Sequence, residues 1–160
     1  MQRISGFTIV EVTVVIFLTA ILVSFGFLAY NQVQRDARDT TRKGNVAVIT
    51  EALEDYYVQK GEYPSVRSIV NNFSENTGTT VSAKLGITAN DLKMPGMPAS
   101  ATNAITSVAG SPSNNYIGYV ASSAVNNANC QNVVAAGCDG FTLKYVTEAG
   151  STITIESRRK

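Results

Sequence analysis

One acidic side chain lies inside a long apolar stretch near the start of the chain. Glu11 is the only charged residue between Phe7 and Tyr30, a range without proline that is rich in Val, Ile, Leu and Phe. About 20 such residues suffice for a helix to cross the ~30 Å hydrocarbon core of a bilayer, and this length favours a helix over a strand. A charge at mid-membrane costs roughly 2.5 to 3.5 kcal/mol, so Glu11 predicts a cationic partner. The alternative is that Glu11 lies near the interface and reaches headgroup water.

The chain itself can supply that cation. Cleavage after Gly6 would turn the Phe7 nitrogen into a free amine, and Phe7 lies one helical turn before Glu11. Residues 1–6 would then be a short basic leader that is removed from the mature protein.

Two cysteines are the other reactive groups. Cys130 and Cys138 lie eight residues apart in a stretch flanked by Gly and Asn. In an exported domain the pair predicts a disulfide, worth roughly 2.5 kcal/mol for so short a loop, and two reduced thiols remain the alternative. The spacing does not support a redox site of the CxxC type.

Enzyme chemistry has little support in the composition. The chain has no histidine, which removes the commonest general base and the commonest metal ligand. The net charge of +1 gives no general attraction to nucleic acid or to an anionic surface. We therefore expect a protein that is not an enzyme, with no metal site and no cofactor.

The residues around Glu11 resemble the processing site of the type IV pilin and pseudopilin family. The match consists of a short leader, an apolar segment, and between them the run Gly6-Phe7-Thr8-Ile9-Val10-Glu11. The resemblance implies cleavage between Gly6 and Phe7 by a prepilin peptidase and N-methylation of Phe7. It also implies that Glu11 pairs with the Phe7 amine of a neighbouring subunit. Many members carry a late helix-breaking proline, where this chain reads Gly26-Phe27-Leu28, so no break is expected here.

The next stretch predicts an amphipathic helix that continues the membrane helix. Between Asn31 and Lys60, apolar side chains recur at three- and four-residue steps: Val46, Ile49, Ala52, Leu53, Tyr56 and Tyr57. Gly61-Glu62-Tyr63-Pro64 should end this helix, because Gly favours a C-cap and Pro cannot continue it. The run from Tyr56 to Pro64 resembles the junction between stem and head in pseudopilins and small monoderm-type pilins.

Two basic clusters each leave two interpretations open. The first follows the apolar stretch and is either a solvated helix face or a set of contacts between packed stems: Arg35, Arg38, Arg42 and Lys43. The second is the tail Ser157-Arg158-Arg159-Lys160, either a solvated chain end or a weak candidate for phosphate contacts to DNA. By the positive-inside rule, the first cluster alone would place the large domain in the cytoplasm. The leader motif requires a cytoplasmic N-terminus instead, and we give it precedence.

The remainder predicts a small head. A short helix capped by Ser65 is expected over Ser65–Phe73, followed by loops on a sheet up to about Asn115. Strands are expected where β-branched and aromatic residues cluster, at Tyr116–Ser122, Phe141–Thr147 and Thr152–Glu156, with a hairpin turn at residues 148–151.

The predicted fold class is α+β, with a long N-terminal helix, transmembrane in its first half and amphipathic in its second, packed on a small C-terminal antiparallel sheet. The predicted divisions are leader 1–6, membrane and assembly helix 7–30, stem helix 31–60 and head 61–160. The two predicted functional site pairs are Gly6 with Phe7 for cleavage and Glu11 with Phe7 for assembly.

These observations predict a structural subunit of a type IV pilus or pseudopilus, supporting adhesion, motility, DNA uptake or secretion. The family resemblance implies other pilin subunits, a prepilin peptidase, an assembly ATPase and a platform membrane protein as partners. The chain would be a single-pass protein of the cytoplasmic membrane before assembly and part of a cell-surface filament afterwards. The alternative is a single-span membrane protein that displays a binding head and never polymerises.

Overall fold

The computed structural model describes residues 6–70, 78–98, 101, 103–107, 110–123, 130 and 137–159, with the backbone alone at 26–29 and 78–80. The chain divides into two units, Met1–Ala37 and Arg38–Lys160. The first unit contains the apolar part of one long helix. The second contains the remainder of that helix and all other elements.

Helix α1 extends over Ile9–Lys60 without interruption. Its first turn is capped by Thr8, whose hydroxyl accepts a hydrogen bond from the Glu11 N–H at 3.3 Å and whose carbonyl accepts one from Val12. At the other end, Gly61 adopts a φ of 76° and its N–H donates to the Tyr57 carbonyl at 2.8 Å. The predicted end of the helix and the absence of a break at residues 26–28 are confirmed.

Two short helices follow. Helix α2 covers Val66–Ile69, and the Ser65 hydroxyl caps it by accepting from the Ser68 N–H at 3.3 Å, as the sequence predicts. The helix ends at Ile69 with Val70 as its C-cap, so it is shorter than predicted, and residues 71–73 lie outside the described residues. Helix α3 covers Gly78–Leu85, so the expectation of loops alone after Phe73 is wrong there.

The sheet has four strands in the order β1-β2-β3-β4. Their bounds are β1 Ile105–Thr106, β2 Ile117–Ser122, β3 Gly140–Val146 and β4 Thr152–Glu156. The pairs β2–β3 and β3–β4 are antiparallel, as predicted, but β1 pairs with β2 in parallel. The sheet is therefore mixed. The sequence did not predict β1, because a strand of two residues is too short to show an alternation of apolar and polar side chains.

A tight turn joins β3 to β4. The Gly150 N–H donates to the Thr147 carbonyl at 2.9 Å, and the Thr147 N–H donates to the Ser151 carbonyl at 2.9 Å. Gly150 has a φ of 82°, the left-handed conformation that a three-residue hairpin loop needs at this position. The predicted hairpin turn at residues 148–151 is confirmed.

The second half of α1 and the sheet share one apolar core. The helix contributes the predicted stripe, of which Val46, Ile49, Ala52 and Leu53 are buried. From the two central strands come Ile117, Tyr119, Ala121, Phe141, Leu143 and Tyr145, all buried in the same cluster. This arrangement confirms the α+β class, because an amphipathic helix and a sheet each bury their apolar side against the other.

Candidate functional site

The predicted cleavage site lies immediately before the helix. Gly6 and Phe7 precede the first helical residue and are both exposed, and Phe7 keeps 83% of its surface accessible. A Cβ atom built on Gly6 meets no atom within 4 Å. The peptide bond between these residues is therefore outside the helical hydrogen-bond ladder, where a protease can reach it and where the fold places no steric demand on residue 6.

Glu11 occupies the first turn of α1. A carboxylate at this end interacts favourably with the partial positive charge of the helix N-terminus, an effect of about 0.3–1 kcal/mol. The spacing from Thr8 to Glu11 is that of a capping box, a signal that sequence reasoning missed. Among the described residues, no cation pairs with Glu11. A partner amine on another chain would thus meet a carboxylate that is not already engaged by a described charge.

The helix that follows exposes apolar side chains at successive positions. These include Val10, Val14, Ile16, Phe17, Leu18, Leu22 and Phe25, each at least half exposed. By length and composition α1 is suited to cross a membrane. In water this surface would be strongly unfavourable, so the segment requires lipid or other apolar helices around it.

The two cysteines form a disulfide in the second unit, as predicted. Their backbone carbonyls hold the segment between α1 and α2. The Cys138 carbonyl accepts from the Tyr63 N–H at 2.8 Å, and the Cys130 carbonyl accepts from the Val66 N–H at 3.0 Å. The bridge therefore fixes two acceptors for the predicted stem-to-head junction.

A buried carboxylate lies beneath this junction. Glu54 is 6% exposed and accepts hydrogen bonds from the Tyr63 hydroxyl at 2.8 Å and from the Arg158 N–H at 2.9 Å. Burial, together with the bond to Glu54, raises the pKa of Tyr63 well above its usual value. The Tyr119 hydroxyl donates to the Pro64 carbonyl at 2.6 Å. These contacts satisfy polar groups that would otherwise be costly to bury.

Four charged residues fasten α1 to the turn between β3 and β4. Arg42 is 2% exposed, and its guanidinium lies 2.6 Å from a Glu148 carboxylate oxygen and 2.8 Å from one of Asp39. Arg38 contacts the second oxygen of Glu148 at 3.1 Å, and the Glu148 N–H donates to Asp39. Hydrogen bonds from Arg38 and Arg42 lower the pKa of Glu148.

Arg42 is also bound to backbone carbonyls from two loops. Its Nε donates to Asn114 at 3.2 Å and its Nη2 donates to Pro95 at 3.4 Å. A solvated helix face is therefore the wrong description of Arg42, whose described contacts lie within this chain. The sequence gives no sign of this pairing, because the partners come from distant segments.

The basic tail is fastened to α1. The Arg158 guanidinium lies 3.1 Å from Glu51, and the Arg159 guanidinium lies 5.2 Å from the centre of the Tyr57 ring. Both arginines are exposed, as expected, but the tail is not a free chain end up to Arg159. Lys160 lies outside the described residues.

The described residues contain no group of three or more Cys, Asp or Glu side chains that could hold a metal ion. A surface groove of about 260 Å³ lies between the end of α1 and α3. It is lined by Ala52, Asp55, Tyr56, Gln59, Ala83, Lys84, Leu85 and Gly86.

Comparison with family models, with curated proteins and with solved structures found no match to this chain. The processing motif and the geometry around it are therefore the features from which a function can be inferred.

Proposed function

We propose that this chain is a precursor subunit of a type IV pilus or pseudopilus. The observation that carries the proposal is the position of the motif. Gly6 and Phe7 lie exposed just ahead of a helix that is long and apolar enough to span a membrane, with Glu11 in its first turn. The long apolar helix, the small sheet and the disulfide are compatible with a pilin fold.

The chemistry of maturation acts on this chain rather than being performed by it. A peptidase hydrolyses the amide between Gly6 and Phe7, which leaves a carboxylate on the leader and an amine on Phe7. At neutral pH that amine, also when methylated, carries a positive charge. It can neutralise the Glu11 carboxylate of an adjoining subunit in an apolar setting where an unpaired charge is heavily penalised.

This charge pair would set the position of each added subunit and would contribute little to the total affinity between subunits. Moving the apolar helix from lipid into a filament core exchanges one apolar medium for another, so the hydrophobic effect contributes little. Close packing and the charge pair must bias the addition of each subunit. The family resemblance assigns the work of extrusion to an assembly ATPase and a platform membrane protein, and it leaves open whether the filament serves adhesion, motility, DNA uptake, competence or secretion.

Substitution at the cleavage site tests the proposal. Gly6→Leu places a bulky side chain where the peptidase must bind, and the open space around residue 6 means that the fold should not change. We expect this variant to accumulate as uncut precursor on a gel. Gly110→Leu is the matched control, because Gly110 is also exposed and open, and it should be cut normally. Normal processing of Gly6→Leu would refute the proposal.

The alternative is a single-span membrane protein with an extracytoplasmic binding head that does not polymerise. The apolar helix alone satisfies this alternative, since it requires a membrane span and no processing. A mature chain that begins at Met1 would favour it. Binding of DNA by the tail is not included in either function, because Arg158 and Arg159 already contact Glu51 and Tyr57.

A further inference from the structure

Strand β4 is an edge of the sheet with hydrogen-bonding groups directed outward. The Ser157 N–H donates to the Phe141 carbonyl and the Thr147 N–H donates to Ser151, so odd-numbered residues of this strand bond to β3. In an antiparallel ladder the alternate residues then direct their N–H and C=O groups away from the partner strand. For Thr152 and Thr154 these groups face the open edge, where no described strand pairs with them.

The apolar side of β4 is also incompletely covered. Register places Ile153 opposite Tyr145 and Ile155 opposite Leu143, and both partners in β3 are buried. The two isoleucines therefore lie on the core side of the sheet. Ile155 is packed against the core at intermediate exposure, whereas Ile153 remains 38% exposed. A further strand on this edge would cover apolar surface as well as backbone groups.

Features that usually prevent edge pairing are missing from residues 151–155, and the one charged residue of β4 is Glu156 at its end. Edge strands are commonly protected by lysine, proline, a bulge or an inward-pointing charge. Residues 151–155 read Ser-Thr-Ile-Thr-Ile, with no charge and no proline, and four of the five are β-branched. Gly150, with its positive φ, lies in the hairpin turn and outside the paired residues 152–156.

We propose that β4 pairs antiparallel with β4 of a second copy of this chain, with Thr154 opposite Thr154 at the twofold axis. The register follows from the outward-facing set, because these residues must face each other as hydrogen-bonded pairs. Thr152 then lies opposite Glu156 of the second copy, and no like charges are opposed. The Thr152 hydroxyl keeps its hydrogen bond to the Ser111 hydroxyl of its own chain, at 2.9 Å, so the contact depends on the backbone groups. On the other face Ile153 meets Ile155 of the second copy.

The twofold symmetry of this contact limits the assemblies that it can form. A twofold contact uses the same surface on both copies and closes as a pair, so it cannot propagate a helical filament. One strand pair buries less than the ~1,000 Å² typical of stable interfaces, so a single contact is weak. If the proposed function holds, many such contacts would form between the repeated subunits of two filaments, and their binding free energies would add. The contact would then join filaments side by side.

Cysteine cross-linking of the detergent-solubilised full chain tests the register. In Thr154→Cys the two introduced residues would have Cα atoms ~5.5 Å apart, within the range of a disulfide. In Thr152→Cys the same atoms would be roughly 14 Å apart along the strands, too far to bridge. We expect covalent dimers to form about tenfold faster in Thr154→Cys. Equal rates in the two variants, or no dimer in either, would overturn the proposal.

A second variant separates the edge from contacts made by the apolar helix. Thr154→Pro removes only an N–H that faces the open edge, so the ladder to β3 keeps its bonds. It should abolish dimers that a lysine-reactive cross-linker captures, whereas Thr154→Val, which keeps the N–H, should retain them. An unchanged dimer yield in Thr154→Pro would contradict the inference. Because both tests use solubilised protein, they can fail or succeed whether or not the chain forms filaments.

Discussion

Arg42 in the middle of α1 pairs with Glu148 in the turn between β3 and β4, with 2.6 Å between Nη2 and Oε1. Only 2% of the arginine side chain is exposed, against 19% of the glutamate. The pair therefore joins the helix to the turn between β3 and β4 through a guanidinium that is almost completely shielded from water.

Replacing this arginine should be strongly destabilising. Arg42→Met leaves Glu148 and Asp39 close together without their shared buried cation, and breaking a buried pair costs about 3–5 kcal/mol. Because Glu148 is partly hydrated, we expect the lower end of that range. Urea unfolding of the detergent-solubilised protein, followed by circular dichroism, measures the change.

The matched control is the exposed pair of Arg158 with Glu51, whose side chains are 68% and 61% accessible. Exposed pairs contribute about 0–1 kcal/mol, so Glu51→Ala should change the free energy of unfolding by less than 1 kcal/mol. Similar losses in the two variants would show that burial of Arg42 contributes nothing.

Acid should lower the free energy of unfolding by protonating the Glu148 carboxylate. The pKa of Glu148 lies below its ordinary value of 4.5 because Arg38 and Arg42 bond to the ionised form. A depressed folded-state pKa gives stability that is present above pH 4.5 and is lost as the pH falls through the folded value. The free energy of unfolding should therefore decrease below about pH 4.5. In Glu148→Gln this decrease should be smaller, and an identical pH profile would contradict the assignment.

The disulfide should matter most at the junction between stem and head. Replacing Cys130 and Cys138 by serine should cost roughly 2.5 kcal/mol, the loop entropy of so short a bridge. Hydrogen exchange should rise first at the amides of Tyr63 and Val66, whose acceptors are the two cysteine carbonyls. Faster exchange at Leu143 by the same factor would instead indicate global destabilisation.

The Tyr63 hydroxyl should contribute measurably to stability. Tyr63→Phe leaves the buried Glu54 carboxylate without one of its two described donors, and an unsatisfied buried acceptor costs about 1–3 kcal/mol. Tyr57→Phe removes a hydroxyl for which no described hydrogen bond is found and should change stability by a few tenths of a kcal/mol. Equal effects of the two substitutions in urea unfolding would count against the role of the hydroxyl.

Local signals made much of the fold predictable. The apolar stripe from Val46 to Leu53 and the Gly61 cap located the second half of α1 and its end. Alternation located β4 at Thr152–Glu156, residue for residue. Each of these features is encoded within a few neighbouring residues, where periodicity or a single special conformation is decisive.

Features that depend on distant partners were not predictable. Helix α3 contains a glycine, two threonines and a valine within eight residues, a composition with low helix propensity, so tertiary packing must supply its stability. The burial of Arg42 depends on Glu148, Asn114 and Pro95, which no local pattern connects to it. Likewise, the Arg158 N–H donates to Glu54, which lies 104 residues earlier in the chain.

At the proposed assembly site, the sequence predicted the residues and the structure added their local setting. Thr8 caps the helix and Glu11 lies in its first turn, which explains why the peptide bond between Gly6 and Phe7 is outside the helix. Whether Glu11 meets a neighbouring Phe7 is a property of two chains and stays a prediction.

Loss of the carboxylate should separate processing from assembly. Glu11→Ala should be cut and inserted like the wild type, because the scissile bond and the apolar helix are unchanged. It should give few filaments, since the Phe7 amine of each added subunit would remain unpaired in an apolar setting. Filament yield is measured by electron microscopy of sheared cells, with Glu51→Ala as the control. Wild-type yield from Glu11→Ala would refute charge pairing.

The most direct measurement is the N-terminus of the mature protein, read by mass spectrometry of material purified from its membrane or from shed filaments. We expect a chain that starts at Phe7 with a methylated amine and lacks residues 1–6. A mature chain that starts at Met1, or at any residue other than Phe7, would contradict it.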